Sequence, residues 1–505
     1  MEEQEIQNLA QKNINNHEPA GIARLFRHSA VYTLSTSVQR LQGLILTPIY
    51  TNLQYLPEMS EYSNYGLVYT FIAFMNFVYM YGMDSAFLRY YFLGKMDRKT
   101  VFSTTFFILI LSGIFSSILI FIFSRPISQV VLFNGELYRL IELSAVILFL
   151  DSLANLPFLL LRVEERAITF TVFRMIRFFL EIILNFLFVV TMKLGVYGIL
   201  YANIIAAGIS LLMMFPFIWK FLTLTFNRSL LTEMLKFGLP FLPNGIAYMT
   251  IEMIDRFLVT KYLGKDVLAF YHANYKFASV LLLIIVGFRN AWQPFFLKVS
   301  KQAEAPQIYS RVLRYYLLVA GIIIIFITLF IRDLLTFRYF NSFYLLGIDY
   351  WQGIDFIPWI ILSYFFFGIY VIFTPAFYIH KKSHFMVLFT GAGAIFNILC
   401  NIWLIPEIGI WGAVVATVLA YLIMALSIVV VAQKIYPVPV DPVKSAVLFL
   451  LIGLIYTLYS SLNLSLSLRL LVFIVYLVSS WLLILPSAEK LKIYSRIFQF
   501  IKVSK

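Results

Sequence analysis

The chain has 505 residues, of which 61% are hydrophobic and only 13% are charged, with a net charge of +14. Soluble domains average about 25% charged residues, so this composition excludes an ordinary water-soluble protein. The single cysteine excludes an internal disulfide framework. The apolar residues come in blocks of about 20, the length of a helix that crosses a bilayer, so we expect an all-α polytopic membrane protein.

The predicted elements begin after a polar stretch of 26 residues, which we interpret as a cytoplasmic tail before a retained first helix rather than as a signal peptide. About fourteen spanning helices follow. In chain order they cover 27–50, 65–87, 101–123, 139–161, 168–192, 196–221, 237–262, 267–288, 312–331, 354–377, 385–405, 409–433, 443–462 and 468–485. No linker exceeds about 25 residues, so no soluble domain is expected on either side.

The basic residues test this count independently. With the amino terminus in the cytoplasm, 28 of the 39 Lys and Arg fall in inner segments, among them Arg174 and Arg177, and 8 fall in outer segments. This distribution obeys the positive-inside rule with both termini in the cytoplasm. The positive charge is then loop charge beside anionic lipid, and no nucleic-acid partner is expected. Three bases remain inside predicted helices: Arg40, Arg256 and Lys276.

Two short sequence matches divide the chain into halves. Asn64-Tyr65 recurs 210 positions later as Asn274-Tyr275, and GVYG at 195–198 recurs 214 positions later as GIWG at 409–412. Internal repeats of this kind are typical of transporters whose substrate site lies between two lobes. We therefore expect a tail, an N-lobe of six helices, a C-lobe of six helices, two further helices and a second cytoplasmic tail, at 1–26, 27–225, 226–435, 436–486 and 487–505.

The seventh predicted helix has three charges in its middle, Glu252, Asp255 and Arg256. A charge inside the membrane costs about 3 kcal/mol or more unless it is paired or faces a wet cavity. Glu252 and Arg256 are four residues apart, so one interpretation is a self-neutralising pair that fixes the helix against a neighbour. The other is that Arg256 faces a cavity and binds a phosphate or sugar hydroxyls while an acid orients its guanidinium.

Further candidates lie in the first and eighth helices. Arg40 is about 20 Å along its helix from Arg27, with no acid within one turn, so a cavity-lining position is favoured. Lys276 lies in an unusually polar stretch with Asn274 and Tyr275. Arg40, Asn274, Tyr275 and Lys276 are all predicted to contact substrate.

Two arginines end helices at the inner surface. Arg89 and Arg289 are either ordinary inner-surface charge or a basic mouth that collects a diphosphate from the inner leaflet. Asp151 and Glu181 rank below these candidates, because Arg177 and Glu181 form an i,i+4 pair that has a structural explanation, and Asp151 has one as a cap before Pro157.

Catalytic chemistry has little support. The chain has no GxxxxGK[ST] loop for a nucleotide, and HKKSH at 380–384 lacks the glutamate of a zincin and contains two lysines that would repel a metal. We therefore predict no catalytic residue, no metal site and no cofactor.

The stretch LPFLPNGIAYMTIEMIDRFLVTKYLGKDVLAFYHANYKFAS at 239–279 is similar to the signature region of Wzx-type polysaccharide-biosynthesis flippases. The matching features are Pro240 and Pro243, the step Asp255-Arg256-Phe257, YLG at 262–264 and the tyrosine-rich YHANYKFAS. These flippases belong to a superfamily that also contains the lipid II flippases and the multidrug and toxin extrusion (MATE) antiporters.

The resemblance implies a MATE-like fold of fourteen helices around a central cavity, with alternating access. It also implies an oligosaccharide on a polyprenyl diphosphate as substrate, the cytoplasmic membrane as location, and other polysaccharide-assembly membrane proteins as partners. Three alternatives stay open: a lipid II flippase, a cation-coupled multidrug antiporter, and a membrane glycosyltransferase. An antiporter favours an acid-dominated cavity, whereas the deep helices here hold three bases and two acids. A glycosyltransferase would need acids on a sizeable outer loop.

Overall fold

Long apolar stretches fold as helices because a backbone in lipid must satisfy its own hydrogen bonds. The computed structural model describes residues 42–93, 96–300, 302–339, 343–380, 382, 384–462 and 464–486. The regular structure of these residues is helical, with an isolated bridge between Tyr339 and Phe343. Within the same ranges, eleven helical segments are long and apolar enough to cross a membrane. The chain is therefore an all-α, multi-pass membrane protein.

The helices are numbered here in chain order. They are α1 (42–50), α2 (Met59–Met80), α3 (Met83–Leu93), α4 (Arg98–Ile122), α5 (Ser124–Val131), α6 (Tyr138–Val163), α7 (Ala167–Asn185), α8 (Gly195–Phe221), α9 (Arg228–Gly238), α10 (Phe241–Leu263), α11 (Lys265–Ala278), α12 (Val280–Val299), α13 (Ala305–Thr336), α14 (Ile357–Phe373), α15 (Pro375–Ile379), α16 (His384–Ile408), α17 (Ile410–Ile435), α18 (Pro442–Ser461) and α19 (Leu466–Ile484). A π-helix (Phe186–Thr191) continues α7, and 3₁₀ helices occupy Gly135–Leu137 and Ile348–Phe356.

Most predicted spans have a counterpart, but two of them differ from expectation, and one link between spans contains a helix. The second span is broken into α2 and α3, because Tyr81 and Gly82 adopt positive φ angles of 31° and 79°. The eighth span is broken after Ala278 and continues to Val299 rather than ending at 288. The link between the sixth and seventh predicted spans contains α9, whose start is capped by the Asn227 side chain, which accepts from the Leu230 amide. The first predicted span lies partly outside the described residues, so the total of fourteen stays a prediction.

The described chain divides into two compact units. Unit 1 holds the residues up to Ala269 together with 286–291, and unit 2 holds 270–285 and the residues from Trp292 onward. The lobe boundaries expected from the internal repeats stay a prediction.

Unit 1 is arranged around α6, which packs against α2, α4, α7 and α8. Helix α2 also packs against α10, and α3 packs against α9. A cluster of buried apolar side chains, including Phe87, Phe102, Phe158, Met214 and Met234, fills the space between these helices. Polar side chains of α6 and α7 lie beside this cluster and form the site described below.

Unit 2 is arranged around α14 and α17, which pack against each other. Helix α13 packs on α14, and α16 packs on α17. The two C-terminal helices, α18 and α19, pack on α13. Fully buried tyrosines dominate the interior, as at Tyr364 and Tyr421, whose ring centroids are 6.0 Å apart.

The turn between α2 and α3 lies directly against the end of α9. A Cβ atom added to Gly82 would be 2.0 Å from the Gly238 carbonyl oxygen, and Gly82 has φ of +79°. We expect Gly82→Ala to lower the melting temperature in detergent, with a cost above about 1 kcal/mol, because both the backbone angle and the space exclude a side chain. Gly208→Ala is the control, since a Cβ there meets nothing within 4 Å. Equal melting temperatures for the two variants would show that this contact is dispensable.

Candidate functional site

A polar cavity of about 310 Å³ lies inside unit 1. That volume is at the lower end of the usual size of small-molecule sites. Five helices, α1, α2, α6, α7 and α8, contribute its walls. The lining residues are Gln42, Asn76, Asp151, Ala154, Asn155, Phe158, Arg174, Arg177, Glu181 and Asn203. We call this set the polar cavity.

Arg177 is the centre of the polar cavity. Its Nη1 lies 2.8 Å from Asp151 Oδ1 on α6, and its Nε lies 2.8 Å from Glu181 Oε1 one turn further along α7. Its Nη2 donates to Asn203 Oδ1 on α8 at 3.4 Å. The side chain of Arg177 is only 11% exposed. One guanidinium therefore joins three helices, as its planar fork of donors allows.

The remaining lining residues add a second arginine and several amides to the polar cavity. The guanidinium carbon of Arg174 lies 3.9 Å from the ring centroid of Phe158, a cation–π contact. Gln42 donates from Nε2 to Glu181 Oε2. With two arginines and two carboxylates, the lining has no formal net charge. Such a site offers both donors and acceptors, which suits a polyhydroxylated ligand better than an isolated ion.

Four tyrosines of α1 and α2 stand beside the polar cavity, and we call them the tyrosine cluster: Tyr50, Tyr62, Tyr65 and Tyr69. The ring of Tyr65 lies 5.1 Å from that of Tyr50 and 4.7 Å from that of Tyr69. One hydrogen bond joins the cluster to the cavity, because Tyr69 Oη accepts from Asn203 Nδ2 at 2.9 Å. Tyr50 Oη donates to Asn185 Oδ1 at 2.6 Å, one turn beyond Glu181 on α7.

An adjoining cavity of about 470 Å³ is lined by α2, α3, α6 and α10. It shares Asn76 and Asn155 with the polar cavity. Asp84 and Ser85 line it on α3, and Asn244 lines it on α10. The two cavities give unit 1 a polar interior that adjoins α10.

The charges that the sequence singled out on α10 are buried. Glu252 is 5% exposed, Asp255 is fully buried and Arg256 is 4% exposed. Arg256 Nη1 donates to the Glu252 main-chain carbonyl at 3.0 Å, and Arg256 also interacts electrostatically with Tyr65. The three predicted residues therefore lie together in unit 1, with Arg256 next to the tyrosine cluster.

The predicted residues of α11 belong to unit 2. Asn274 is fully buried, and its Nδ2 donates to the carbonyls of Phe270 and Tyr350, both at 2.8 Å. Tyr275 is 3% exposed and lies edge-on to Tyr364. Lys276 is half-buried. These hydrogen bonds join α11 to the 3₁₀ helix that contains Tyr350. Contact of Asn274 with substrate stays a prediction.

The remaining predicted residues lie elsewhere. Arg89 on α3 is exposed and stacks over the Phe237 ring at 4.5 Å. Arg289 on α12 is exposed. Arg40 lies outside the described residues. Nothing in the described contacts joins Arg89 or Arg289 to the charges of α10.

Arg174 and Arg177, which the sequence counted among the bases of inner segments, lie within a helix rather than in a loop. Helix α7 begins at Ala167, so Arg174 lies about 10 Å from its start, and both side chains line the polar cavity. The acids of α6 and α7 neutralise Arg177 at that depth. The predicted i,i+4 pair of Arg177 and Glu181 is confirmed. The predicted cap at Asp151 is wrong, because α6 continues past Pro157 and Asp151 binds Arg177.

Sequence reasoning ranked this site second and missed part of it. Arg174, Asn76 and Asn203 were not proposed as ligands. The sequence signal that could have identified these residues is the number of polar side chains inside predicted spans, especially Asp151 and Asn155, which are one helical turn apart. Among the described residues, no group of three or more His, Cys, Asp or Glu side chains is placed to hold a metal ion.

A family model described as "Polysaccharide biosynthesis protein" matches residues 56–343 of the chain. That match includes α2 to α13 and therefore the polar cavity apart from Gln42. A sequence search of curated proteins finds no match.

Solved structures of similar fold are membrane transporters and flippases. The lipid II flippase MurJ in an inward closed conformation has a TM-score of 0.67 at 16% identity, over 89% of this chain and 97% of that one. A MOP superfamily transporter from Pyrococcus furiosus has a TM-score of 0.59 at 15% identity, over 85% and 96%. A mutant of the Vibrio cholerae MATE transporter VcmN has a TM-score of 0.57 at 13% identity, over 82% and 97%. At these identities the likeness shows the fold, which is MATE-like as expected.

Proposed function

Since the chain belongs to the polysaccharide biosynthesis protein family and has the MOP superfamily fold, we propose that it is a flippase for a polyprenyl-diphosphate-linked oligosaccharide. The substrate is the repeat unit of an O-antigen, a capsule or an exopolysaccharide. It crosses the cytoplasmic membrane by alternating access, with both termini of the protein in the cytoplasm. The physical task is to move a hydrophilic glycan and a diphosphate through about 30 Å of hydrocarbon.

The polar cavity is the observation that supports this proposal most. Polar side chains inside membrane helices are costly and are retained where they serve a passage or a ligand. Here ten lining residues from five helices include two arginines, two carboxylates and four amides. Such a lining replaces the water that a sugar loses on entering the membrane, since each hydroxyl both donates and accepts hydrogen bonds.

The diphosphate needs positive charge, and the bases singled out by the sequence supply it in this proposal. Arg256 holds the diphosphate with Arg40 and Lys276, and Glu252 and Asp255 orient the Arg256 guanidinium. Arg89 and Arg289, both exposed, collect the diphosphate at the inner surface. Asn274 and Tyr275 support Lys276 from the same helix. The polyprenyl tail stays in the surrounding lipid.

Two of the three alternatives are less well supported than the proposal. In the described part of unit 1, Asp151 and Glu181 both lie 2.8 Å from Arg177, so a cation-exchanging antiporter would first have to break these ion pairs. A lipid II flippase differs from the proposal only in its glycan, and the fold of MurJ does not separate the two. The family and the fold neighbours are transporters and flippases rather than glycosyltransferases.

A binding titration tests the proposed substrate class. Arg256→Gln and Lys276→Gln should each weaken binding of a polyprenyl diphosphate sugar by about tenfold or more, because an anion in a low-dielectric site loses a charge-assisted contact. Binding of an uncharged polyprenyl glycolipid should change much less. The control is Lys261→Gln, which removes an exposed base of α10. Equal losses for charged and uncharged lipids would contradict diphosphate binding by these residues.

A further inference from the structure

A second cavity, of about 500 Å³, lies in unit 2 and is separate from all the residues assigned above. It is found where the ends of α13 and α18 meet the beginnings of α14, α17 and α19. In the proposed orientation this end of the helices is the outer one. We call it the outer cavity and define it by Arg332, Asp333, Asp355, Trp411, Tyr456, Tyr459 and Arg469.

Two arginine–aspartate pairs form the polar wall of the outer cavity. Arg332 Nη2 lies 2.7 Å from Asp355 Oδ1. Arg469 contacts Asp333 with both terminal nitrogens, and its Nη1 also donates to the Leu329 carbonyl at 2.8 Å. The two positive and two negative charges cancel. The outer cavity is therefore unsuited to a phosphate or a free cation, either of which would face an equal number of like charges.

The carboxylates of the two ion pairs are accessible to a ligand. The acids are open to solvent, since the side chains of Asp333 and Asp355 are 51% and 56% exposed. Tyr459 interacts electrostatically with all four charged side chains. Tyr459 therefore lines the cavity together with both ion pairs.

Aromatic rings form another part of the lining. Trp411, at the start of α17, is 36% exposed. Trp359 lies edge-on between Trp411 and Tyr456, with ring centroids 6.5 Å and 5.1 Å away. These contacts hold the Trp411 and Tyr456 rings in fixed positions. Aromatic rings and charged polar groups in one cavity match the two kinds of surface on a sugar, its apolar C–H face and its hydroxyls.

We propose that the outer cavity is a saccharide-binding site, which takes a short segment of the glycan on the outer side of the membrane. This inference rests on the proposed function, because that function brings the glycan to this side. Trp411 and Tyr456 stack on sugar rings, Asp333 and Asp355 accept from sugar hydroxyls, and Tyr459 donates to them. The cavity volume is sufficient for a small oligosaccharide but not for a long chain.

The test uses the purified full chain in detergent and lipid-free oligosaccharides, released by mild acid from the host's polyprenyl-linked pool. Trp411→Ala should weaken their binding by roughly tenfold, because it removes the stacking surface. Tyr459→Phe, which removes a single hydroxyl, should weaken it by roughly threefold or more. The matched control is Trp403→Ala, which removes a tryptophan that is 70% exposed on α16 and should leave binding unchanged.

A second probe separates this inference from the proposed function. Sugar-free polyprenyl diphosphate should bind the wild type, Trp411→Ala and Tyr459→Phe equally. If the wild type binds this lipid but not the released oligosaccharides, the outer cavity is not a saccharide site and its ion pairs only fasten α18 and α19 to their neighbours. Unchanged oligosaccharide binding by both variants would overturn the inference in the same way. Failure of the wild type to bind either probe would contradict both the inference and the proposed function.

Discussion

Replacing Arg177 by glutamine is expected to abolish transport and to destabilise the protein by about 3 kcal/mol. The variant leaves Asp151 and Glu181 facing the same small cavity without the guanidinium that lies 2.8 Å from each of them. Arg174 then remains as the one base of the lining against two carboxylates, which repel each other and attract water or protons, so the cavity changes in both shape and charge. Transport is measured in cells by surface polysaccharide, and stability by the melting temperature in detergent.

Two further variants separate charge from geometry at this site. Arg177→Lys keeps the charge but cannot reach both acids and Asn203 with one planar group, so we expect partial stability and little transport. Arg166→Gln is the matched control, since Arg166 is exposed just before α7. The combined variant Arg177→Gln, Asp151→Asn and Glu181→Gln should regain stability without regaining transport. Recovery of transport in this combined variant would show that the charges of the polar cavity are structural.

Replacing Arg256 by glutamine is expected to reduce transport to background. Arg256 is 4% exposed on α10, close to Glu252 and Asp255. It also interacts electrostatically with Tyr65. In the proposed mechanism this guanidinium holds the diphosphate, and a neutral amide cannot replace a charge-assisted bidentate contact. The measurement is surface polysaccharide per molecule of protein, so that changes in abundance are removed.

The double variant Arg256→Gln with Glu252→Gln decides what this arginine does. It removes one positive and one negative charge together, so protein abundance should be close to normal. Transport should still be absent if Arg256 binds the substrate. Restored transport would mean that Arg256 only balances Glu252. Lys261→Gln, at the exposed end of the same helix, is expected to transport normally.

The sequence was sufficient for features that depend on one helix at a time. Apolar blocks predicted the spans, and the i,i+4 spacing predicted the pair of Arg177 and Glu181, because both residues lie on one face of α7. The charges of α10 were found for the same reason, as exceptions within one apolar segment. The break between α2 and α3 was missed, because the close approach of α9 at Gly238 depends on tertiary packing.

Ion pairs between residues of different helices could not be predicted from residue spacing along the sequence. Asp151 and Arg177 are 26 residues apart, and only the packing of α6 beside α7 brings them within 2.8 Å. The outer cavity depends on Arg469 and Asp333, which are 136 residues apart. Pairing of this kind needs the register between helices, which no periodicity within a single helix supplies.

The most direct test of the central claim is translocation by the purified protein in proteoliposomes. The substrate is a fluorescent polyprenyl-diphosphate oligosaccharide, and the signal is its accessibility to a membrane-impermeant quencher on each side. We expect wild-type protein and Lys261→Gln to equilibrate the lipid between the two leaflets. Arg177→Gln and Arg256→Gln should not do so. Translocation by the two arginine variants at the wild-type rate, or none by the wild type, would contradict the central claim.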